Sequence, residues 1–189
     1  MDERNVESPD TINIKRSQWQ VAGGMIAAVC LIALIGGSLW YGLEGRLFVI
    51  VDRSLTLADR LSYVAKWSLL PAACVMAGIA MMANIRFFTQ SIDPISGAED
   101  RALKIWRAFT QNSLEQAFLF IVGAMAFACI TYQYWLRLIP VFAILFVIGR
   151  IIFVIGYLIK PAYRATGFAM TFYPTVFLYG ITAYLYIYQ

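Results

Sequence analysis

The chain has 189 residues, of which 61% are hydrophobic and only 14% are charged, and its mean hydropathy is +0.69. A soluble domain needs more polar surface than this to cover its core, so these values predict an integral membrane protein. The formal net charge of +4 comes from basic residues scattered between apolar runs, without a basic stripe, which argues against nucleic acid as a partner and favours lipid headgroups.

Five apolar runs approach or reach the length that crosses a bilayer. About 30 Å of hydrocarbon takes roughly 20 helical residues. The first run is too long for the core of a signal peptide and lacks a small-residue cleavage pattern after it, so we interpret it as a retained helix. The runs predict membrane-spanning helices at residues 19–43, 66–88, 113–132, 138–159 and 167–188.

The segments on either side of the first helix differ in character. Residues 1–18 are polar and are predicted to form a disordered tail, which ends in Lys15 and Arg16 beside Trp19. This flank is typical of the cytoplasmic side, so we expect a multi-pass protein of a bacterial inner membrane with a cytoplasmic N-terminus. Residues 44–65 alternate leucines with charged residues, which fits an interfacial amphipathic helix or a simple linker equally well.

The last four helices are joined by short connections. The first connection contains the turn signal Asp93-Pro94, and tight turns fall within 132–140 and 159–167. Short connections place consecutive helices side by side and antiparallel. The predicted fold is therefore all-α and integral to the membrane, with an antiparallel four-helix up-down bundle in residues 66–189 preceded by one extra N-terminal transmembrane helix.

Polar residues run along one face of the third predicted helix, whose polar start extends the apolar span back to residue 102. At about 100° per residue, Lys104, Arg107, Gln111 and Glu115 share that face, and Asn112 lies one strip over. An unpaired polar group in hydrocarbon costs several kcal/mol. These side chains are therefore predicted either to pair with one another or to hold a ligand.

Two arginines of the following segments are further candidates. Arg150 lies inside an apolar run, with Phe153 and Tyr157 on its face of the helix. An intramembrane arginine indicates a functional site by default, and its structural alternative is an ion pair with Glu115 that joins two helices. Arg164 lies at the predicted interface, where a snorkelling arginine and a ligand-binding arginine are both reasonable.

Several kinds of site are disfavoured by the residues that the sequence lacks. Cys30, Cys74 and Cys129 stand in three different apolar runs without a Cys-x-x-Cys spacing, and the chain contains no histidine. A metal site and a disulfide are therefore not predicted. The sequence also offers no Ser-His-Asp or Cys-His set and no phosphate-binding glycine loop.

Two stretches resemble signature segments of a known family. They are RAFTQNSLEQ, from residue 107, and GRIIFVIGYLIKPAYRATGF, from residue 149. Both are similar to segments of the MAPEG family, the membrane-associated proteins of eicosanoid and glutathione metabolism, and the likeness covers residues 66–188. The resemblance implies a four-helix bundle that assembles as a homotrimer, with glutathione or a lipid held between neighbouring subunits.

The resemblance also implies roles for five residues. Asn112 and Glu115 match the pair that contacts the glutathione backbone, and Tyr157 matches the family's tyrosine. Arg164 matches the arginine that stabilises the glutathione thiolate, which makes it the expected catalytic residue. Arg150 matches the family's buried arginine.

The remaining candidates lie beside these residues. Arg107 and Gln111 are expected to contribute to glutathione binding from the same helix. The family usually has an arginine where this chain has Ala108, with Arg107 one position earlier, and often a tyrosine where this chain has Phe153.

Two functions are compatible with this pattern. The first is a glutathione-dependent transferase or peroxidase for hydrophobic electrophiles or lipid hydroperoxides, with glutathione as co-substrate. The second is a non-catalytic lipid-binding or assembly subunit of the same fold. A channel or transporter is disfavoured because no span is broken in mid-membrane and no inverted repeat is visible.

Overall fold

A computed structural model describes residues 9–42, 54–89 and 101–188, with side-chain environments from residue 14 onward. Two short 3-10 turns, Gln133–Arg137 and Pro161–Tyr163, precede the last two helices. Each long helix contains an apolar stretch sufficient to cross a membrane by length and composition, which confirms the predicted all-α, multi-pass class. The long helices in the described ranges are α1 (Pro9–Gly42), α2 (Leu57–Phe88), α3 (Arg101–Ile130), α4 (Leu138–Ile159) and α5 (Arg164–Tyr188).

α1 and α2 begin well before the helices predicted at residues 19 and 66, whereas α3 begins at Arg101, next to its predicted polar start at residue 102. α1 starts at Pro9, a residue suited to a first turn because its missing N–H would have no intrahelical partner, so only residues 1–8 of the predicted tail lie outside the described residues. α2 starts at Leu57 through a capping box, in which the Asp59 N–H donates to Thr56 Oγ1 at 3.2 Å and the Thr56 N–H donates to Asp59 Oδ2 at 3.0 Å. The end of the predicted linker is thus continuous helix, and residues 43–53 lie outside the described residues.

Contacts between helix ends show the antiparallel order of α2, α3, α4 and α5. Arg60, near the start of α2, donates to the carbonyl of Ala128 at 3.0 Å and to that of Thr131 at 2.5 Å, at the end of α3. These bonds satisfy carbonyls that a helix C-terminus leaves unpaired. At the start of α4, Phe142 packs against Phe177 in the second half of α5, with ring centroids 6.2 Å apart.

The tightest crossing joins α4 and α5 near one end of the bundle. A Cβ atom on Gly167 would collide with the backbone of Gly149 and Phe153, so only glycine allows this approach. A Cβ on Gly156 would likewise collide with the backbone of Tyr163. This crossing fixes the distance between the α4 residue Arg150 and the first turns of α5.

α1 packs along α4 and α5. A Cβ on Gly24 would lie 2.9 Å from Thr166 Oγ1, and Ala28 is fully buried. At the opposite end, the Arg137 guanidinium stacks 3.7 Å from the centroid of the Trp40 ring. α1 is therefore held at both ends of its apolar length.

Candidate functional site

A buried arginine ties three helices together. Arg150 of α4 is 1% exposed, and its guanidinium donates to Asn112 Oδ1 of α3 at 2.6 Å and to Thr171 Oγ1 of α5. The Thr171 hydroxyl in turn donates to the carbonyl of Phe168 at 2.9 Å. The ring of Phe153 lies 4.9 Å from the guanidinium carbon. Charge-assisted bonds of this kind are roughly twice as strong as neutral ones, so the network stabilises the packing of α3, α4 and α5.

The partner of Arg150 differs from the predicted one. No ion pair joins Arg150 to Glu115 in the described chain. Glu115 is exposed, and its carboxylate accepts from Gln111 Nε2 at 2.8 Å, one helical turn earlier. Asn112 and Glu115 are separated by about 60° around the helix axis, and only Asn112 faces α4. The Arg150 guanidinium is therefore paired with neutral acceptors, Asn112 and Thr171.

A cavity of about 620 Å³ lies beside this network. Two residues predicted from the sequence, Asn112 and Arg164, both line it. Its volume is in the range of small-molecule sites in proteins. The rest of its lining is mostly apolar and comes from four helices and one turn: Ser17, Val21 and Met25 of α1, Ala108 of α3, Phe153 of α4, Pro161 and Ala162 of the turn, and Ala165 and Phe168 of α5.

Arg164 is oriented by an aromatic ring. Its guanidinium carbon lies 5.0 Å from the centroid of the half-buried Tyr157 ring, an attractive cation–π distance. Among the described residues, no side chain or backbone group hydrogen-bonds to the Arg164 guanidinium. Arg164 thus lines the cavity with a guanidinium that is not paired with a carboxylate of the described residues.

The other predicted binding residues face away from the cavity. Arg107, Gln111 and Glu115 are exposed, and we refer to them as the outer strip of α3. The strip continues along the helix into exposed apolar side chains, Phe118 and Val122. One chain therefore brings Asn112, Arg164 and Tyr157 together at one end of the bundle and leaves the outer strip on the bundle surface.

A comparison with models of known protein families shows the family to which the chain belongs. The model of the MAPEG family matches residues 64–184, which is more than half of the chain and covers most of α2, all of α3 and α4, and most of α5. The chain belongs to the MAPEG family. Comparisons with curated proteins and with solved structures gave no match.

The MAPEG match places both the network and most of the cavity inside the family domain, and α1 outside it. Two features of the site were not predicted from the sequence. One is Thr171, which accepts from Arg150, and the other is the contribution of α1 to the cavity wall through Ser17, Val21 and Met25. The glycine pairs Gly23-Gly24 and Gly36-Gly37 are sequence features that mark α1 as a packing helix, since small residues let helices approach closely in membranes.

Proposed function

We propose that this MAPEG member is a glutathione-dependent transferase or peroxidase that acts on hydrophobic electrophiles or lipid hydroperoxides. The observation that carries the proposal is the shared cavity of Asn112 and Arg164, in which the Arg164 guanidinium has no hydrogen-bond partner among the described residues. Asn112 Oδ1 already accepts a hydrogen bond from Arg150, so the Nδ2 donor is the group that Asn112 offers to a ligand.

Arg164 is the proposed catalytic residue because it supplies the charge that thiol chemistry needs. A free thiol has a pKa near 8.5, so only a few per cent of it is thiolate at neutral pH. A guanidinium held against the sulfur in a site that excludes water favours the charged form and lowers that pKa. The thiolate then forms a carbon–sulfur bond to the electrophile, and the displaced electron pair departs with a leaving group. In a conjugated alkenal, which has no leaving group, this pair instead moves onto the carbonyl oxygen and the α-carbon is protonated. With a hydroperoxide, the thiolate instead attacks the outer oxygen, the O–O bond breaks and the departing alkoxide is protonated to the alcohol. A second glutathione then converts the resulting sulfenic acid into glutathione disulfide and water.

The first test is direct. Adding glutathione to the purified wild-type protein at neutral pH should produce the ultraviolet absorbance of a thiolate, because Arg164 stabilises the ionised sulfur. Serine in place of the cysteine of glutathione gives a matched control ligand that binds without a thiol. A wild-type spectrum equal to that of free glutathione at every pH between the acid and alkaline limits of stability would contradict the proposal.

We further propose that the protein acts as a homotrimer. The outer strip residues Arg107, Gln111 and Glu115 do not line the cavity of their own chain. They can contribute to glutathione binding only if α3 of one subunit faces the cavity of another, as the family resemblance implies. The apolar continuation of the strip at Phe118 and Val122 supplies a surface for helix packing between subunits.

The mass of the protein in mild detergent tests this assembly. We expect the polypeptide mass, after subtraction of bound detergent, to equal three chains. A matched pair of variants locates the interface: Phe118→Lys on the outer strip side should dissociate the assembly, whereas Ile155→Lys, which lies exposed on α4, should not. A monodisperse monomer or dimer of the wild-type protein would exclude the trimer.

One observation favours a second function, that of a non-catalytic lipid-binding or assembly subunit. Ala108 and Phe153 are the two positions where the family usually has an arginine and often has a tyrosine, and both line the cavity. They make this cavity less polar, which suits a lipid chain. The thiolate experiment separates the two functions, because a lipid-binding subunit would give no thiolate signal.

A further inference from the structure

The extra helix α1 forms one wall of the cavity. The family match begins at residue 64, so α1 is not part of the matched domain. Ser17, Val21 and Met25 nevertheless line the same space as Asn112 and Arg164. These three α1 residues are spaced four apart, as is needed for one face of a helix to follow a neighbouring surface.

The wall is built by close packing rather than by loose proximity. Gly24, adjacent to Met25, touches α5 so closely that a Cβ there would lie 2.9 Å from Thr166 Oγ1 and 3.3 Å from the Thr166 backbone nitrogen. Gly23 has no such neighbour within 4 Å. Ala28, one turn further, is fully buried. The position of the α1 wall is therefore fixed against the start of α5, the helix that carries Arg164.

The two sides of the cavity differ in chemistry. Val21 and Met25 of α1 and Phe168 of α5 offer aliphatic, thioether and aromatic surface, whereas Arg164 and Asn112 offer hydrogen-bond donors. Methionine and valine in such a wall suit a flexible hydrocarbon chain, because methionine adapts its shape to the molecule that it contacts. A molecule with an apolar body and one polar, reactive end matches this division.

We propose that α1 forms the binding wall for the hydrophobic substrate, which lies with its alkyl or aryl body against Val21 and Met25 and its reactive end towards Arg164. Val21 and Met25 are then specificity-determining residues contributed by a helix outside the family domain. This inference rests on the proposed function for the reaction, but the binding of an amphipathic hydrocarbon against α1 is measured without turnover.

Photolabelling of the full-length protein in detergent tests the binding site. The probe is a long-chain fatty acid with a photoreactive diazirine in its alkyl chain, and the labelled residues are mapped by mass spectrometry. We expect label on the α1 segment 17–25 and on α5 near Phe168, with competition by an excess of unlabelled fatty acid. Equal labelling of the lipid-facing α1 residue Ile26, without competition, would overturn the inference, and this result depends on no variant.

A matched pair of variants tests the specificity role. Val21→Trp fills the cavity from α1, whereas Ile26→Trp places the same ring on an exposed position of the same helix that does not line the cavity. Val21→Trp should lower probe labelling about tenfold and raise the KM for a long-chain 2-alkenal about tenfold, because the indole ring takes space in the cavity that the alkyl chain would occupy. The KM for the shortest alkenal should rise less than the KM for the long-chain alkenal, because a shorter body contacts less of the α1 wall.

The packing contact between α1 and α5 allows an independent test of the inference. Gly24→Leu should push α1 away from α5 and lower labelling of α1, whereas Gly23→Leu should leave labelling at the wild-type level. If the wild type forms the thiolate but Val21→Trp behaves as Ile26→Trp does, the inference fails while the proposed function stands. If no thiolate forms but competitive labelling of α1 persists, the transferase proposal fails and the hydrophobic site on α1 stands.

Discussion

Arg164→Ala should reduce turnover with glutathione by about two orders of magnitude, the usual loss when one preorganised charge donor is removed from an active site. The cavity that Arg164 lines should remain, because in the structure the guanidinium stacks on Tyr157 and bridges no helices by hydrogen bonds among the described residues. The fold and the assembly should therefore be unchanged. Glutathione binding should weaken by no more than about tenfold, since we expect the backbone of the tripeptide to make separate contacts.

The pH dependence separates a catalytic Arg164 from a structural one. If Arg164 is catalytic, its guanidinium lowers the pKa of the bound thiol in the wild type, so the thiolate signal should be present above that lowered pKa and lost as the pH falls through it. In Arg164→Ala, the signal should appear only as the pH approaches the pKa of free glutathione thiol. Both titrations are followed by ultraviolet absorbance with saturating glutathione.

Two variants control for the loss of charge and of stacking. Lys160→Ala removes an exposed cation close in sequence that does not line the cavity, and it should titrate as the wild type does. Tyr157→Leu removes the ring that orients Arg164 but keeps the charge. Its turnover should therefore lie between that of the wild type and that of Arg164→Ala. Identical thiolate titrations for the wild type and Arg164→Ala would show that the arginine serves only as an interfacial anchor.

The sequence predicted the architecture well because hydropathy reports directly on burial in lipid. The fourth predicted span, residues 138–159, coincides with α4 (Leu138–Ile159). The starts of α1 and α2 were misplaced since polar turns continue an apolar helix when a local cap, such as Thr56 with Asp59, satisfies the first N–H groups. A hydropathy window does not register a cap of this kind.

The site was predicted less completely than the fold. The pattern drew attention to Asn112, Arg150 and Arg164, because polar residues next to hydrocarbon are rare and usually functional, and their roles at the site stay predictions. It did not identify which side chain pairs with Arg150, since that depends on how α3 is rotated about its own axis. It gave no sign that Val21 and Met25 face a cavity, because an apolar residue that faces a ligand and one that faces lipid look the same in sequence.

Asn112 connects the buried network with the cavity, so its substitution should affect both stability and binding. Its Oδ1 is the acceptor for Arg150 Nη1 at 2.6 Å, and Arg150 is 1% exposed. Asn112→Leu keeps the approximate volume but removes the acceptor, and the buried guanidinium then retains only Thr171 among the described residues. Leaving a buried charge short of a partner costs about 3 kcal/mol or more.

The matched comparison is with Glu115→Ala, on the outer strip of the same helix. Glu115 is exposed and pairs with Gln111, so its loss should change the free energy of unfolding by less than about 1 kcal/mol. Asn112→Asp should retain most of the wild-type stability, because a carboxylate accepts the same bond and compensates the buried charge. The double variant Asn112→Leu/Arg150→Met should be more stable than Asn112→Leu alone, since it removes the stranded charge together with its partner.

Equilibrium unfolding in mixed micelles with increasing dodecyl sulfate, followed by circular dichroism, measures all four proteins against the wild type. The expected order of stability places Glu115→Ala and Asn112→Asp near the wild type, the double variant below them, and Asn112→Leu lowest. If Glu115→Ala were as destabilised as Asn112→Leu, a carboxylate rather than the amide would be the partner that neutralises Arg150. The observed arrangement of Asn112, Arg150 and Thr171 predicts the opposite, because the helix face that turns towards α4 carries the amide and not the acid.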